Sequence, residues 1–174
     1  MIWFTGDTHF WHDSEWVRTL RPFDSVEHMN ETMIANWNQC VSRGDLVYCL
    51  GDFCWVNREK YVQDLLSRLS GQKILIAGNH DWKKVRTAKG WASVHKLRTI
   101  KADGHKITLC HYPMREWPAS RHGSWHLHAH SHGRLSEQGL SADVGVDVRG
   151  YAPVSLTEIE AELGARHEQA TDSR

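Results

Sequence analysis

Three short clusters carry the residue types that bind divalent cations: Gly6-Asp7-Thr8-His9, Gly51-Asp52 and Gly78-Asn79-His80-Asp81. Downstream lie His111, at the end of an apolar run, and the histidine-rich stretch Trp125-His-Leu-His-Ala-His130-Ser-His132-Gly133. Carboxylate and imidazole together suit a borderline divalent ion such as Mn, Fe, Zn or Ni. On an extended backbone residues i and i+2 point the same way, so Asp7 and His9 can converge on one ion. One polar loop after a strand is ordinary. Three such loops on one sheet edge are a different matter, and the flanking elements decide whether they share an edge.

The central element is Leu46-Val-Tyr-Cys-Leu50, an uninterrupted apolar run that reads as a strand buried on both faces. Gly51 lets the chain turn sharply, and Asp52 then sits on the sheet rim as a carboxylate that two ions can share. Ile2–Thr5 and Lys73–Ala77 read as further strands. Between them the spacing predicts a short helix over Trp11–Thr19 and a longer one over Val26–Val41, with Met29, Met33, Ile34 and Trp37 on its apolar face and Asp24 or Ser25 as its cap. A third, over Asn57–Leu69, carries Tyr61, Leu65, Leu66 and Leu69 on its stripe. This alternation implies parallel strands with right-handed crossovers, which puts the three clusters on one edge. Beyond Trp82 the pattern changes. Val94–Ile100 and His105–Cys110 read as antiparallel strands turning at Ala102-Asp103-Gly104. A loop follows from Tyr112 to Gly123, and then a strand over Ala142–Val148. Ser155-x-x-Glu158 is a capping box for a helix to about Leu163. The expected organisation is one domain, residues 1–163, and a polar, disordered tail, residues 164–174.

The chain of 174 residues is 40% hydrophobic, which supports a single well-cored domain. Lys+Arg and Asp+Glu are both 21, and this zero balance argues against a long duplex nucleic acid as partner. The 13 histidines and 9 tryptophans point to metal and acid–base chemistry and to flat-ring stacking or core filling. The four cysteines form no Cys-x-x-Cys pair, which fits a reducing, cytoplasmic location. A strand directly after Met1 leaves no room for a signal peptide, and no apolar run reaches membrane-spanning length. The oligomeric state is left open.

Taken in order, Gly6-Asp7-x-His9, Gly51-Asp52, Gly78-Asn79-His80-Asp81, His111 and His130-x-His132 resemble the calcineurin-like metallophosphoesterase superfamily, in particular its small single-domain bacterial and phage-type phosphoesterases. The resemblance covers Met1 to Leu163. It implies an α/β fold, a four-layer αββα sandwich of two mixed sheets flanked by helices. It implies two divalent transition-metal ions, Mn²⁺ foremost, with Fe, Zn or Ni as alternatives. Asp7, His9, Asp52 and His132 would hold one ion. Asp52, Asn79, His111 and His130 would hold the other, with Asp52 bridging and His80 as general acid. Two cations roughly 3.5–4 Å apart can share a hydroxide and clamp an in-line displacement at phosphorus. Asn79 can ligate through its carbonyl and keep an amide donor for the phosphate.

Three departures from the family pattern matter. Ala129 stands where the family has glycine before the last His-x-His. Phe53-Cys54-Trp55 stands where protein phosphatases of the superfamily have Asp-Arg, which argues against a phosphoprotein substrate. No capping domain is present, so an open site is expected. The resulting expectation is hydrolysis of small phosphodiesters, nucleotides included. A phosphomonoesterase, and a non-catalytic protein-binding scaffold of the same fold, are the alternatives.

The expected substrate contacts are Asn79, His80 and Arg115, with His122 in the same loop as Arg115. Asp81 is a candidate to orient His80. His12, His126 and His128 read as supporting residues, Cys54 as a buried thiol and Asp147 as structural. Trp11, Trp55, Trp82 and Trp117 follow ligand motifs and can either stack a nucleobase at the mouth or cap the core, with the second reading preferred.

Overall fold

The computed structural model describes residues 1–56 and 58–172, with side chains described through residue 166. The three clusters do share one edge. Strands β1 (Ile2–Thr5), β2 (Leu46–Cys49), β3 (Gln72–Ile76) and β4 (Trp91–His95) run parallel, and β9 (Val154–Ser155) pairs antiparallel with β1, giving the order β4-β3-β2-β1-β9. A second sheet, of order β5-β6-β7-β8, contains β5 (Leu97–Ala102), β6 (His105–Cys110), β7 (Trp125–His128) and β8 (Ser141–Asp143). In it β5–β6 is antiparallel and the other pairings are parallel. The fold is α/β: two mixed sheets flanked by helices.

Side chains alternate across each strand, so one residue set faces each layer. Trp3, Val47, Cys49 and Leu75 point to one side of the first sheet. There they pack against Met33 and Trp37 of α2 (Val26–Cys40) and Leu65 and Leu66 of α3 (Glu59–Arg68). Phe4, Tyr48, Leu50 and Ile76 point to the other side, against Ile107, Leu109 and Leu127 of the second sheet. Ser25 caps α2 by accepting from His28 N at 3.0 Å.

Several boundaries differ from expectation. Val94–Ile100 is two strands, since the chain leaves the first sheet after His95 and enters the second at Leu97. Alternation along a strand does not register a change of sheet. The first helix, α1, spans Glu15–Leu20 rather than starting at Trp11, because Ser14 caps it and His9 and Trp11 hold left-handed backbone at φ 46° and 58°. Asn57, the expected start of α3, lies outside the described residues. Tyr61 is exposed, and Val62 takes its place on the buried stripe. The strand expected to reach Val148 stops at Asp143, whose Oδ1 accepts from Gly145 N at 2.7 Å and turns the chain. The capping box is present, with Ser155 N donating to Glu158 Oε2 at 2.8 Å. The helix it opens, α5 (Leu156–Asp172), runs through Gly164 into the stretch expected to be a disordered tail. Arg166 holds that turn by donating to Ser141 O at 2.5 Å and pairing with Glu162. These contacts offset the roughly 1 kcal/mol that a mid-helix glycine costs.

Candidate metal centre

The loops after β1 and β2 are zipped together beyond the strands. Asp7 N donates to Gly51 O at 3.0 Å, His9 N to Asp52 O at 2.9 Å and Phe10 N to Phe53 O at 3.0 Å. Of nine non-glycine residues with positive φ among the described residues, five are Asp7, His9, Asp52, His130 and His132. Such backbone is strained for a side-chain-bearing residue and clusters at functional sites. Gly51, at φ +87°, is required twice over, because a Cβ there would lie 2.6 Å from both Gly78 N and His111 Nδ1. Ala129 is not among the positive-φ residues, which is why alanine serves there. Its Cβ instead fills the space that a side chain at Gly6 would need, 2.5 Å away. Asp81 does not orient His80. It is buried, and it accepts from Asp52 N at 2.9 Å, Phe53 N at 2.9 Å and Gly78 N at 2.8 Å, locking two of the loops to each other.

Two groups of side chains can each hold a cation: Asp7, His9 and His132, and Asp52, His111 and His130, with candidate ligand atoms in each group within 4.8 Å of one another. Asp52 Oδ2 lies between the groups, 3.8 Å from His9 Nε2 and 3.5 Å from His111 Nε2. Asn79 Oδ1 joins the second group, 3.1 Å from His111 Nε2. The His80 backbone donates to Asp52 Oδ1 at 2.8 Å, and its ring lies 5.9 Å from that of His9.

Whether these residues suit a metal is tested by their unmet polar atoms. Asp7 Oδ1 and His9 Nε2 are buried with no hydrogen-bond partner, which is costly unless something else satisfies them. Burial pushes the Asp7 carboxyl up to about 7 and the His9 imidazole down to about 3, so His9 is a neutral ring with a free lone pair. Burial also opposes ionisation of Asp52, but the hydrogen bond and charge of His111 hold it at about 2. A divalent cation is the chemical group that this donor set fits.

Around the ligands runs a network of positioning contacts that composition and spacing did not reveal. Arg21, buried, donates to the Asp7 and Thr8 carbonyls at 2.6 and 2.9 Å and forks onto Asp147 at 2.8 and 3.0 Å. Asp147 in turn lies 2.7 Å from His132 Nδ1. A histidine held by a carboxylate in this way has its tautomer and ring angle fixed. The spacing of Asp147 from the other motifs gave no sign of this, and Arg21 had no sequence signal at all. His126 accepts from Met114 N at 3.1 Å and anchors the loop after His111, and His128 lies 3.4 Å from Glu137 Oε2.

The cleft over the centre, about 340 Å³, is lined by His12, Trp16, Trp55, His80 and Arg134 as well as candidate ligands. His12 stacks flat on Trp55 at 3.9 Å, and Trp16 stands edge-on to His132 at 4.8 Å. Arg115 is not there. It lines a different cleft with Trp117 and His128, and Arg134 is the arginine at the centre. Trp11 borders a separate hollow with Tyr61. Cys54 is a buried thiol, pushed up to about 12 by burial, and belongs to neither ligand group.

Residues 1–144 match the calcineurin-like phosphoesterase family over most of the chain. The chain belongs to that family. This calcineurin-like phosphoesterase is 36% identical over 163 residues to the uncharacterized protein MJ1445 of Methanocaldococcus jannaschii, covering 89% of this chain and 86% of that one. Its fold is similar to that of a protein of unknown function, AQ665 from Aquifex aeolicus, with TM-score 0.73 and 26% identity over 92% of this chain and 98% of that one. Membership makes it a metal-dependent phosphoesterase, and the two groups of side chains above are residues that could hold metal ions. Among the described residues no helix is long and apolar enough to cross a membrane.

Proposed function

We propose that this phosphoesterase uses a binuclear centre to hydrolyse small phosphodiesters, nucleotides among them. Asp7, His9, Asp52 and His132 would hold one ion, and Asp52, Asn79, His111 and His130 would hold the other. The observation that carries this reading is the position of Asp52 Oδ2, within 3.8 Å of an imidazole nitrogen from each group. A carboxylate oxygen so placed can serve two cations at once. Two divalent ions held there, Mn²⁺ foremost, would supply an activated water and neutralise charge on the phosphoryl oxygens.

The chain's own residues do the rest. Asn79 offers its amide hydrogens to a phosphoryl oxygen while its carbonyl oxygen faces His111. His80, at the cleft mouth, donates a proton to the departing oxygen. Arg134 takes the phosphate-holding part expected of Arg115. Trp16 and Trp55 give the mouth two flat rings for a base or aryl ester arm, which favours a diester over a bare monoester. We read the functional unit as residues 1–163, Leu163 being the last buried core residue described. The four free thiols support a cytoplasmic location.

The test is Mn²⁺-dependent hydrolysis of bis-p-nitrophenyl phosphate beside p-nitrophenyl phosphate, with Asp52→Asn as control. Faster turnover of the diester, lost in the variant, is the expected result. Faster turnover of the monoester overturns the diester reading. Inertness with Mn, Fe, Zn and Ni alike, in protein that carries no metal, overturns the binuclear centre.

A further inference from the structure

A second cleft, about 600 Å³, shares Asn79 with the candidate metal centre and is walled by Trp82, Lys83, Arg86, Lys96 and Tyr112, together with Asp81, whose carboxylate oxygens are already taken by three backbone N–H groups. Two aromatic contacts join it to the chemistry. Tyr112 lies 5.0 Å from the His111 ring and 4.8 Å from the His130 ring. Trp82 lies 5.3 Å from Trp55, which lines the cleft over the centre. The cations come from separate elements. Lys83 and Arg86 lie on the single turn α4 (Lys83–Arg86), and Lys96 on the link between β4 and β5. Lys83, Arg86 and Lys96 also border the adjoining hollow beside His95, so they form one basic ridge between the two depressions.

Arg18, Lys60, Arg68, Arg121 and Arg149 each meet a carboxylate. Among the described residues none of Lys83, Arg86 and Lys96 does. The zero net charge of the chain therefore conceals a local positive excess beside one candidate metal ligand. Unpaired like charges converging on one concavity repel each other and focus a field that draws in an anion. A lysine offers a point charge and an arginine a fork, both suited to phosphate, and Trp82 and Tyr112 offer flat walls for a sugar or base.

We propose that this cleft is a subsite for a second phosphate, so that the preferred substrate is a nucleotide ester bearing a terminal phosphate besides the one attacked. The inference rests on the phosphoesterase reading of the metal centre and adds the substrate class. No bond forms or breaks at the subsite; it binds.

The experiment uses the Mn²⁺-loaded protein and two chromogenic esters, thymidine 5′-(p-nitrophenyl phosphate) with and without a 3′-phosphate. In wild type the remote phosphate raises kcat/KM about tenfold, chiefly through KM, the order expected of a few solvent-exposed charges. This advantage shrinks as salt is raised, because exposed charges are screened over about 8 Å at physiological ionic strength. In the triple variant Lys83→Gln/Arg86→Gln/Lys96→Gln the ratio of the two esters falls to about one, while Lys60→Gln, remote from the cleft, leaves it alone. A wild type that shows no preference, or a triple variant that keeps it, overturns the subsite. If wild type hydrolyses neither ester, the reading of the metal centre fails separately. The subsite is then judged by calorimetric binding of thymidine 3′,5′-bisphosphate against thymidine 5′-monophosphate. Tighter bisphosphate binding that the triple variant loses upholds it, and equal affinity overturns it.

Discussion

In the half of the candidate centre formed by Asp7, His9 and His132, two buried candidate ligand atoms, Asp7 Oδ1 and His9 Nε2, have no hydrogen-bond partner. In the half formed by Asp52, His111 and His130 the polar atoms face each other: His111 Nε2 lies 3.1 Å from both Asn79 Oδ1 and His130 Nδ1. The electrostatics follow the same division. Burial leaves Asp7 near 7, whereas His111 overcomes burial and holds Asp52 near 2. One half therefore leaves polar atoms that a cation could satisfy, and the other pairs its own. On the proposed reading, the first half should bind its ion more tightly and owe more of its order to it.

Asp52→Asn tests what the halves share. Removing the charge between them should leave the protein unable to keep either ion and reduce turnover to background, read by metal analysis and by rate. Full metal content at unchanged rate would sink the bridging assignment. His80→Ala comes next in size. Its backbone supports Asp52 while its ring faces His9, so it touches both halves without being a ligand. Metal content should be kept and turnover should fall roughly 10²–10⁴-fold. The loss should shrink for esters whose leaving group needs no proton, and an equal loss across esters would remove His80 from the acid role.

Strand ends and irregular loops also differ in how legible they are from the chain. Asp7, Asp52, Asn79 and His111 stood out because each ends an apolar strand run, and a strand end is a fixed address that local pattern reveals. Which arginine lines the cleft over the candidate centre was not legible, for the opposite reason. Arg115 and Arg134 both lie in irregular loops, where neither period nor cap tells which loop folds over the centre. Arg21 was invisible because its partners, Asp7 and Asp147, are brought to it only by tertiary packing, across 126 residues in the case of Asp147. The switch of sheet at Lys96 was hidden likewise, since β4 and β5 each alternate in burial and only one residue separates them.

Asp147→Ala acts on the first half alone. It frees His132 Nδ1 and strips Arg21 of its carboxylate. Loss of such a supporting contact lowers metal affinity by about 10–100-fold. Titration with Mn²⁺ should therefore show one weakened site and one unchanged. Equal weakening of both would mean that the halves are coupled more tightly than their hydrogen bonds suggest.

The smallest effect is the sharpest test of the asymmetry, because the two carboxylates should respond with opposite sign. In metal-free protein Asp7 has a folded pKa raised to about 7, from 3.8. Its ionisation therefore opposes folding: stability declines as pH rises above about 4 and stays reduced above 7. Asp7→Asn removes that penalty, so at pH 8 the metal-free variant should melt several degrees higher than wild type, at about 2–4 °C per kcal/mol for a chain of this size. Asp52, with its folded pKa lowered to about 2, contributes stability that is present above about 4 and lost as pH falls through 2. Asp52→Asn should accordingly melt lower than wild type at the same pH. Added Mn²⁺ should reverse the order for Asp7, since wild type gains from binding the ion and Asp7→Asn does not. Thermal melts of the three proteins with chelator and with Mn²⁺ read all of this at once. A metal-free Asp7→Asn that melts below wild type would show that the unmet atoms of the first half are satisfied in solution by something other than a cation.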